Sequence, residues 1–322
     1  MVEPSKGVGF KQEPRPVTGF FHLFILQDKV NLLYNILGCS MAILEIKYLD
    51  VYAVFSILII FGLIEVLGGL YGKNSKRSKN DWYVELVSTF QLFIFIKPII
   101  FLLSALLFAK LLPEYRNNFL GSSLWASTLF VLIGDDLLQY WYHRKAHKWP
   151  WLWKLHRPHH TAREMGVLVS YRNAVLYYVL MPNIWWLGIA TYFGLYREVL
   201  IAIIMKQLIV TGAHSEARWD AFLYNHKFLH PLAWLIERLI STPCTHFSHH
   251  GKSPADGVSN PNGNFSNMFF IWDVIFGTAL ITRKYPEVFG IPDDPDDSWQ
   301  SHLYYPFVKS VKTRSEIAAQ KV

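Results

Sequence analysis

Eleven of the chain's thirteen histidines fall between His143 and His250. Eight of them form three clusters: His143-Arg-Lys-Ala-His147, His156-Arg-Pro-His159-His160 and His246-Phe-Ser-His249-His250. On helices, spacings of i, i+3 and i+4 bring such side chains to one face. Neutral imidazole is the commonest protein ligand for transition metals. A chain with this pattern is therefore expected to fold so that the three clusters converge. Composition alone would give an HxxHH match about 0.02 times in a chain of this length, and this chain has two. Eight imidazoles exceed the roughly four that close a tetrahedral zinc site, so two metal ions are the natural count.

The rest of the chain reads as membrane protein. Charged residues are 17% of the sequence, against 52% hydrophobic and 16% aromatic, whereas soluble domains usually carry about 25% charge. Residues 1–19 hold Pro4, Pro14 and Pro16 and no apolar stretch of the kind a cleavable signal needs. The two cysteines, Cys39 and Cys244, form no CxxC motif, which excludes a disulfide framework. The net charge of +7 does not point to nucleic acid, because the basic residues flank apolar segments.

Apolar runs predict spans at 51–71, 84–112, 122–142, 174–196 and 198–213, with a weaker membrane-associated segment at 30–49. Lys97-Pro98 predicts a kink, and Tyr196-Arg197-Glu198 reads as the minimal turn of a hairpin. The positive-inside rule places 72–81, 143–173 and everything after His214 on the cytoplasmic side. All three clusters then share one face. The expected fold is all-α: a polytopic transmembrane helix bundle of about 4–6 spans with a cytosolic helical cap holding a histidine-rich dimetal site. The organisation divides into an N-terminal tail (1–29), a transmembrane region (30–142) and a histidine-rich catalytic region (143–322) that includes the membrane hairpin 174–213. Asp293-Asp-Pro-Asp-Asp297 reads as a solvated loop.

The span at 122–142 is expected to run straight into the first cluster. Asp136, Tyr140, His143 and His147 then share a face, with Asp135 and Gln139 beside it. Metal-bound imidazole usually donates its second N–H to a carboxylate or carbonyl, so Asp135 and Asp136 are expected to support the histidines. Pro158 suits a first helical turn, which would make His159 and His160 open a helix with His156 just before it. Pro243 marks the start of the third segment. His214, at the cytoplasmic end of its span, joins His143, His147, His156, His159, His160, His246, His249 and His250 as an expected ligand. His230, from the pair His226/His230, is a further candidate. His22 and His302 are read as non-ligands. A substrate channel is expected between 122–142 and 174–213, with Trp185 and Trp186 on its wall.

The clusters and their flanks resemble the histidine boxes of the membrane-bound fatty acid hydroxylase / sterol desaturase superfamily, whose pattern is HxxxH, HxxHH and HxxHH. Asp-Asp-Leu-Leu-Gln-Tyr-Trp-Tyr-His-Arg (135–144), Leu155-His-Arg-Pro-His-His160 and Ser241-Thr-Pro-Cys-Thr-His246 resemble the lead-ins to the three boxes, and Asn264 to Thr278 resembles the closing segment. The resemblance covers about 122–280. It implies two iron ions and O2, with zinc taking the iron sites in overexpressed protein. It also implies a lipid-like substrate, such as a sterol or fatty acyl chain, that is hydroxylated or desaturated at the membrane. Electrons would come from a separate donor, cytochrome b5-like, ferredoxin or reductase. Many relatives carry another histidine after the second box, where this chain has Ser170-Tyr-Arg-Asn173, so Asn173 is expected beside Asp135 and Asp136 as a supporting residue, contacting a metal directly or through water. The alternative reading, a histidine-rich zinc transporter, calls for ligands near the membrane midplane, whereas these lie beyond the span ends.

Overall fold

The computed structural model describes residues 49–71, 75–294 and 297–309. The weak segment at 30–49 therefore lies almost entirely outside the described residues, as does the tail 1–29. Among the described residues every regular element is helical, and the one β-feature is an isolated bridge between Gly251 and Phe289.

Among the described residues two helices are long and apolar enough to cross a membrane. The first, α1, covers Leu49–Leu67. The second runs Lys79–Leu111 and has three parts: α2 (Lys79–Gln91), a π-helical stretch (Leu92–Ile96) and α3 (Lys97–Leu111). Ser78 opens α2 with a capping box, its hydroxyl accepting from Asp81 N while the Asp81 carboxylate accepts from Ser78 N. The kink expected at Lys97-Pro98 takes the form of the π stretch. Pro98 has no N–H to give the preceding turn, and Lys97 N donates to Leu92 O instead.

Helix α4 (Leu124–Ala146) passes without a break from its apolar half into the first histidine cluster. α5 (Pro150–His160) carries the second cluster. Here the sequence expectation fails: Pro158 sits inside α5, in its last turn, and His156, His159 and His160 share that one helix. The proline is tolerated because the carbonyl it leaves without a donor belongs to Lys154, which is exposed to solvent.

The 174–196 segment is two helices, α6 (Val175–Leu180) and α7 (Pro182–Tyr192), broken at Met181-Pro182. The hairpin turn also differs. It falls at Phe193–Leu195, where Gly194 takes φ +96°, and Tyr196-Arg197-Glu198 form the first turn of α8 (Tyr196–His214). Glu198 there suits the positive end of the helix dipole. α7 packs on α3 and α4, and α8 on α4. At Gly188 a Cβ would meet Ser104 Oγ at 2.7 Å, so α3 and α7 approach closely only because that residue is glycine.

Beyond α8 come α9 (Asp220–Asn225), α10 (His230–Leu239) and α11 (Pro243–His250), the last carrying the third cluster behind a Thr242/Thr245 capping box. After Gly251 regular structure is sparse, with α12 (Ile271–Ile275) and α13 (Trp299–Tyr304) set among turns. This part is less helical than expected.

Candidate metal centre

Four helices bring nine histidines together: α4, α5, α8 and α11. The helical repeat sorts them into two groups. His143, His147, His156, His160 and His249 form one, and His159, His214, His246 and His250 the other. Within each group the ring nitrogens on offer lie within 4.8 Å of one another, an arrangement that can hold a metal ion. On a helix i+4 lies about 40° to one side of i and i+3 about 60° to the other, so side chains sharing one broad face can still be dealt to two neighbouring points. Thus α5 sends His156 and His160 to the first group and His159 to the second. α11 does the converse, with His246 and His250 in the second group and His249 in the first. α4 completes the first group with its own i, i+4 pair, and α8 completes the second with His214 alone.

The rings are held from behind. His143 Nδ1 lies 2.6 Å from Phe265 O, His249 Nδ1 2.7 Å from Gly263 O, His159 Nδ1 3.0 Å from Val169 O and His214 Nδ1 2.8 Å from Val210 O. His156 Nδ1 lies 2.7 Å from Asn173 Oδ1. A carbonyl oxygen only accepts, so each of these Nδ1 atoms carries the proton and each Nε2 presents a lone pair. Yet His143 Nε2 and His249 Nε2 face each other at 3.0 Å, two acceptors with no proton between them. His214 Nε2 faces His246 Nε2 at 2.9 Å, and His156 Nε2 faces His160 Nε2 at 3.2 Å. Buried lone pairs aimed at one another, as at His143 and His249, are unfavourable unless a cation lies among them. His147 Nε2 and His246 Nδ1 are also buried without a partner. Burial holds all nine imidazoles below their ordinary pKa, His143 and His214 at about 4, with neighbouring histidines reinforcing the effect in most. Neutral rings with inward lone pairs suit metal ligation.

His230 belongs to neither group; its Nε2 faces Tyr224 O at 3.0 Å. His226 is half-buried and outside both groups, and His302 is buried in α13 apart from them. Asn173 supports His156 from behind, as expected of a supporting residue. Asp135 and Asp136 bond elsewhere. Asp135 pairs with Lys206 and accepts from Asn183 Nδ2 at 3.0 Å. Asp136 lies 3.6 Å from Lys206 Nζ and accepts from Phe269 N and Trp272 Nε1. The carboxylate that does reach a histidine's support is Asp273, which the sequence reading passed over. It accepts from Phe265 N at 2.9 Å and Ser266 N at 2.7 Å, fixing the strand of backbone whose carbonyl holds His143. A lone acid inside the apolar run 268–276 was the available signal. Arg172, 1% exposed, was also passed over. It donates to Pro158 O and Thr161 Oγ1 and pairs with Asp81 and Glu85, tying the end of α5 to α2.

A cavity of about 120 Å³ adjoins the histidines. His143, His156, His159 and His214 line it, with Asp135 and Gln139 on α4, Ile184 and Leu187 on α7, and Ile203 and Lys206 on α8. It lies between α4 and the 174–213 hairpin, where the sequence predicts a channel, and extends to the π stretch at Leu92 and Phe93. Asp135 and His143 are eight residues apart on one helix, so it covers about 12 Å of helix rise. Trp185 and Trp186 are not on its wall. Trp185 Nε1 donates to Val179 O at 2.8 Å, and Trp186 Nε1 to Val131 O at 3.0 Å. On the other side a hollow of about 600 Å³ reaches His147, Trp153 and His160 past Lys148 and Lys252.

Known proteins resemble this region. The pattern describing the fatty acid hydroxylase family matches residues 128–278. The alkylglycerol monooxygenase of Xenopus tropicalis is 26% identical over 162 residues, 50% of this chain and 32% of that protein. Its counterpart in Danio rerio is 25% identical over 183 residues, 55% and 36% of the two chains, and that of Homo sapiens 28% over 148 residues, 46% and 29%. The chain spans about a third of the length of these curated relatives. No solved structure matches it. All three histidine boxes lie inside the matched residues, so the region that builds the two histidine groups is the region that resembles the fatty acid hydroxylase family.

Proposed function

We propose that the protein is a di-iron, O2-dependent monooxygenase that hydroxylates a C–H bond of a lipid at a membrane. The observation carrying this reading is the pair of histidine groups at the end of a cavity between apolar helices. His143, His147, His156, His160 and His249 would hold one iron, and His159, His214, His246 and His250 the other. Bound there, the irons would supply the O2 chemistry that no side chain can perform on an unactivated C–H bond. The chain's own part is to hold the imidazoles neutral, fix their rings through the Nδ1 bonds and keep water from the site. None of these rings except His147 is more than 4% exposed. Hydroxylation consumes R–H, O2, two electrons and two protons and yields R–OH and water. The electrons come from a separate donor of the cytochrome b5, ferredoxin or reductase kind.

The helices α1 and Lys79–Leu111 span the membrane, and the histidine boxes face the cytoplasm. The relatives named as alkylglycerol monooxygenases make an ether lipid the first substrate to try. Lipids from cells with and without the chain should differ by a product 16 mass units heavier, made with about two irons per chain; zinc replaces iron in overexpressed, inactive material. A product two units lighter would mean desaturation, and metal-free active protein would overturn the reading. Labelling of a cysteine placed at Lys76 or Arg163 from the non-cytoplasmic side of sealed vesicles would overturn the orientation.

A further inference from the structure

α10 is an amphipathic helix turned inside out. Leu232, Leu235 and Leu239 recur at i, i+3 and i+7, the stripe that a globular helix turns to its core. Here the stripe is exposed, and Trp234 beside it is 54% exposed. Just before the helix, Phe222 and Phe228 are exposed too, Phe228 at 77%. The buried side of α10 carries Ala233 and Glu237 instead. Glu237, 1% exposed, accepts from Arg283 Nε at 2.9 Å and Nη2 at 2.8 Å, and from Arg238 Nη1 at 2.8 Å. These charge-assisted bonds fix the inward side of the helix, so the outward leucines are held out by the fold.

Charge and continuity identify what covers this face. Both acids of α9 and α10, Asp220 and Glu237, are buried, whereas Lys227 and Lys284 are exposed. The Arg238 guanidinium lies 4.4 Å above the Trp234 ring. Trp and basic residues bordering an apolar stripe are the composition of a helix lying in a bilayer surface. The apolar surface also continues toward the spans. α10 packs on α12, whose Val274 and Ile275 are exposed. Phe276 follows them and lies 4.9 Å from Trp141 on α4, which carries exposed Leu138, Ile133 and Phe130 toward its apolar end. α4 packs on α7, and α7 on α3 of the apolar helix Lys79–Leu111. With 10 residues, α10 rises only about 15 Å, against about 30 Å of hydrocarbon, so it does not cross.

We propose that α9 and α10 lie flat in the cytoplasmic surface of the bilayer, with Phe228, Leu232, Leu235 and Leu239 among the acyl chains and Lys227, Arg238 and Lys284 at anionic lipid head groups. The inference rests on the reading of α1 and Lys79–Leu111 as membrane spans and goes beyond it, because part of 214–322 is then embedded in lipid. α10 runs through Ile240 and Ser241 into the Thr242 cap of α11. Ser241 is pinned there, its N donating to Met268 O and its Oγ to Ser266 O, both at 2.8 Å. The embedded helix therefore sets how far the third histidine cluster stands from the bilayer.

The test puts a spin label on the full chain at Leu232→Cys, Leu235→Cys or Leu239→Cys, in nanodiscs of phosphatidylcholine and phosphatidylglycerol holding one chain each. The unaltered chain gives the background from Cys39 and Cys244. O2 concentrates among acyl chains and a nickel chelate stays in water, so the ratio of their collision rates reads depth. At the three sites this ratio should exceed that at Ala255→Cys, an exposed position, by at least about tenfold, as for side chains sunk about 5–10 Å. Leaving out phosphatidylglycerol should lower the ratio, and Lys227→Glu with Lys284→Glu should abolish that lipid dependence. Ratios equal to that at Ala255 would overturn the proposal by showing a solvated face, and low rates with both reagents would overturn it by showing that protein covers the face. A ratio indifferent to phosphatidylglycerol would strike the head-group contacts. A label at Leu103→Cys, exposed on α3, keeps the span reading separate: Leu103 in lipid with α10 in water sinks the embedded helix alone, whereas Leu103 in water sinks both. In the unaltered chain, a phospholipid carrying a diazirine on its acyl chain should cross-link within 228–239, and cross-links confined to other segments would also overturn the proposal.

Discussion

The two histidine groups are built from the same pair of helices and completed by different ones. α5 and α11 supply three imidazoles to each. The first group is then finished by an i, i+4 pair on α4, the second by His214 alone at the end of α8. The two also differ in their backing. In the first, His143, His249 and His156 lean on Phe265 O, Gly263 O and Asn173, groups far away in sequence. In the second, His159 leans on Val169 O, His214 leans on Val210 of its own helix, and His246 Nδ1 has no partner. One group therefore has a ligand to spare and depends on the tertiary fold for its geometry. The other has none to spare, and its one contribution from α8 depends on that helix reaching the right depth.

The sharpest way to break this comparison is to remove one ligand from each. His214→Ala leaves three imidazoles in its group, one below the roughly four that close a structural site. Metal content should fall from about two to about one per chain. Turnover should fall by more than the roughly 10–100-fold that changes to outer-shell partners cost. His147→Ala leaves four, and should retain most of the second metal with about a tenfold loss of turnover. Elemental analysis of the two purified variants is the check; equal losses would mean the five-member group has no redundancy.

The backing residues come next. Asp273→Ala frees Phe265 and Ser266 and so loosens His143, and Asn173→Ala frees the ring of His156. Both should lower metal affinity or activity about 10–100-fold, and both should act on the first group alone. Chelator titration would show two release steps, of which only one moves. If both steps shift together, the groups are coupled and the contrast fails.

How much of this was legible in the chain follows from what each residue's neighbours in sequence reveal. The boxes were legible because His143/His147, His156/His160 and His246/His250 are separated by helical spacings, which fix a shared face without tertiary information. The division of His159 from His160 and of His249 from His250 follows from the same geometry. His230 shows where spacing stops helping: His226 and His230 make an equally good HxxxH, yet α10 begins at His230 and its ring turns to Tyr224 O. Asp135 and Asp136 sit on the expected face of α4, but Lys206 on α8 draws them away, and only the packing of α4 on α8 reveals that partner. Asp273 works through backbone amides within eight residues of itself, so its partners carry no signature in residue type, and only its place as a lone acid in an apolar run marks it. Pro182 was visible and was read through, because the run on both sides of it is apolar.

The pH response should affect both groups, to a smaller degree. Burial lowers these imidazoles, His143 and His214 to about 4, against about 6.5 in an unfolded chain. As pH falls from 6.5, the unfolded chain takes up protons before the folded one does. Stability is thus full above about 6.5 and is lost as pH falls toward 4. Melting temperatures of metal-free protein should drop across that window. Metal-loaded protein should hold to lower pH, because protons must first displace the ion. Identical pH curves with and without metal would mean that these histidines do not bind it.

The smallest effect on either group is expected from Trp186. Its ring packs over Gly134, where a Cβ would meet it at 2.7 Å, and lies edge-on to Phe130 at 5.3 Å between centroids. With its Nε1 donating to Val131 O, it serves as a clamp between α4 and α7 on the side away from the cavity. Trp186→Ala removes a large partly buried ring, and such truncations cost up to about 3–5 kcal/mol when fully buried. The melting temperature should therefore fall. Product identity and metal content should stay as they are, because neither the cavity wall nor a histidine support changes. Gly134→Ala should have the same signature through the opposite cause, a clash in place of a void. A change in the lipid position oxidised, in either variant at intact metal content, would move the cavity wall out to α7's second face.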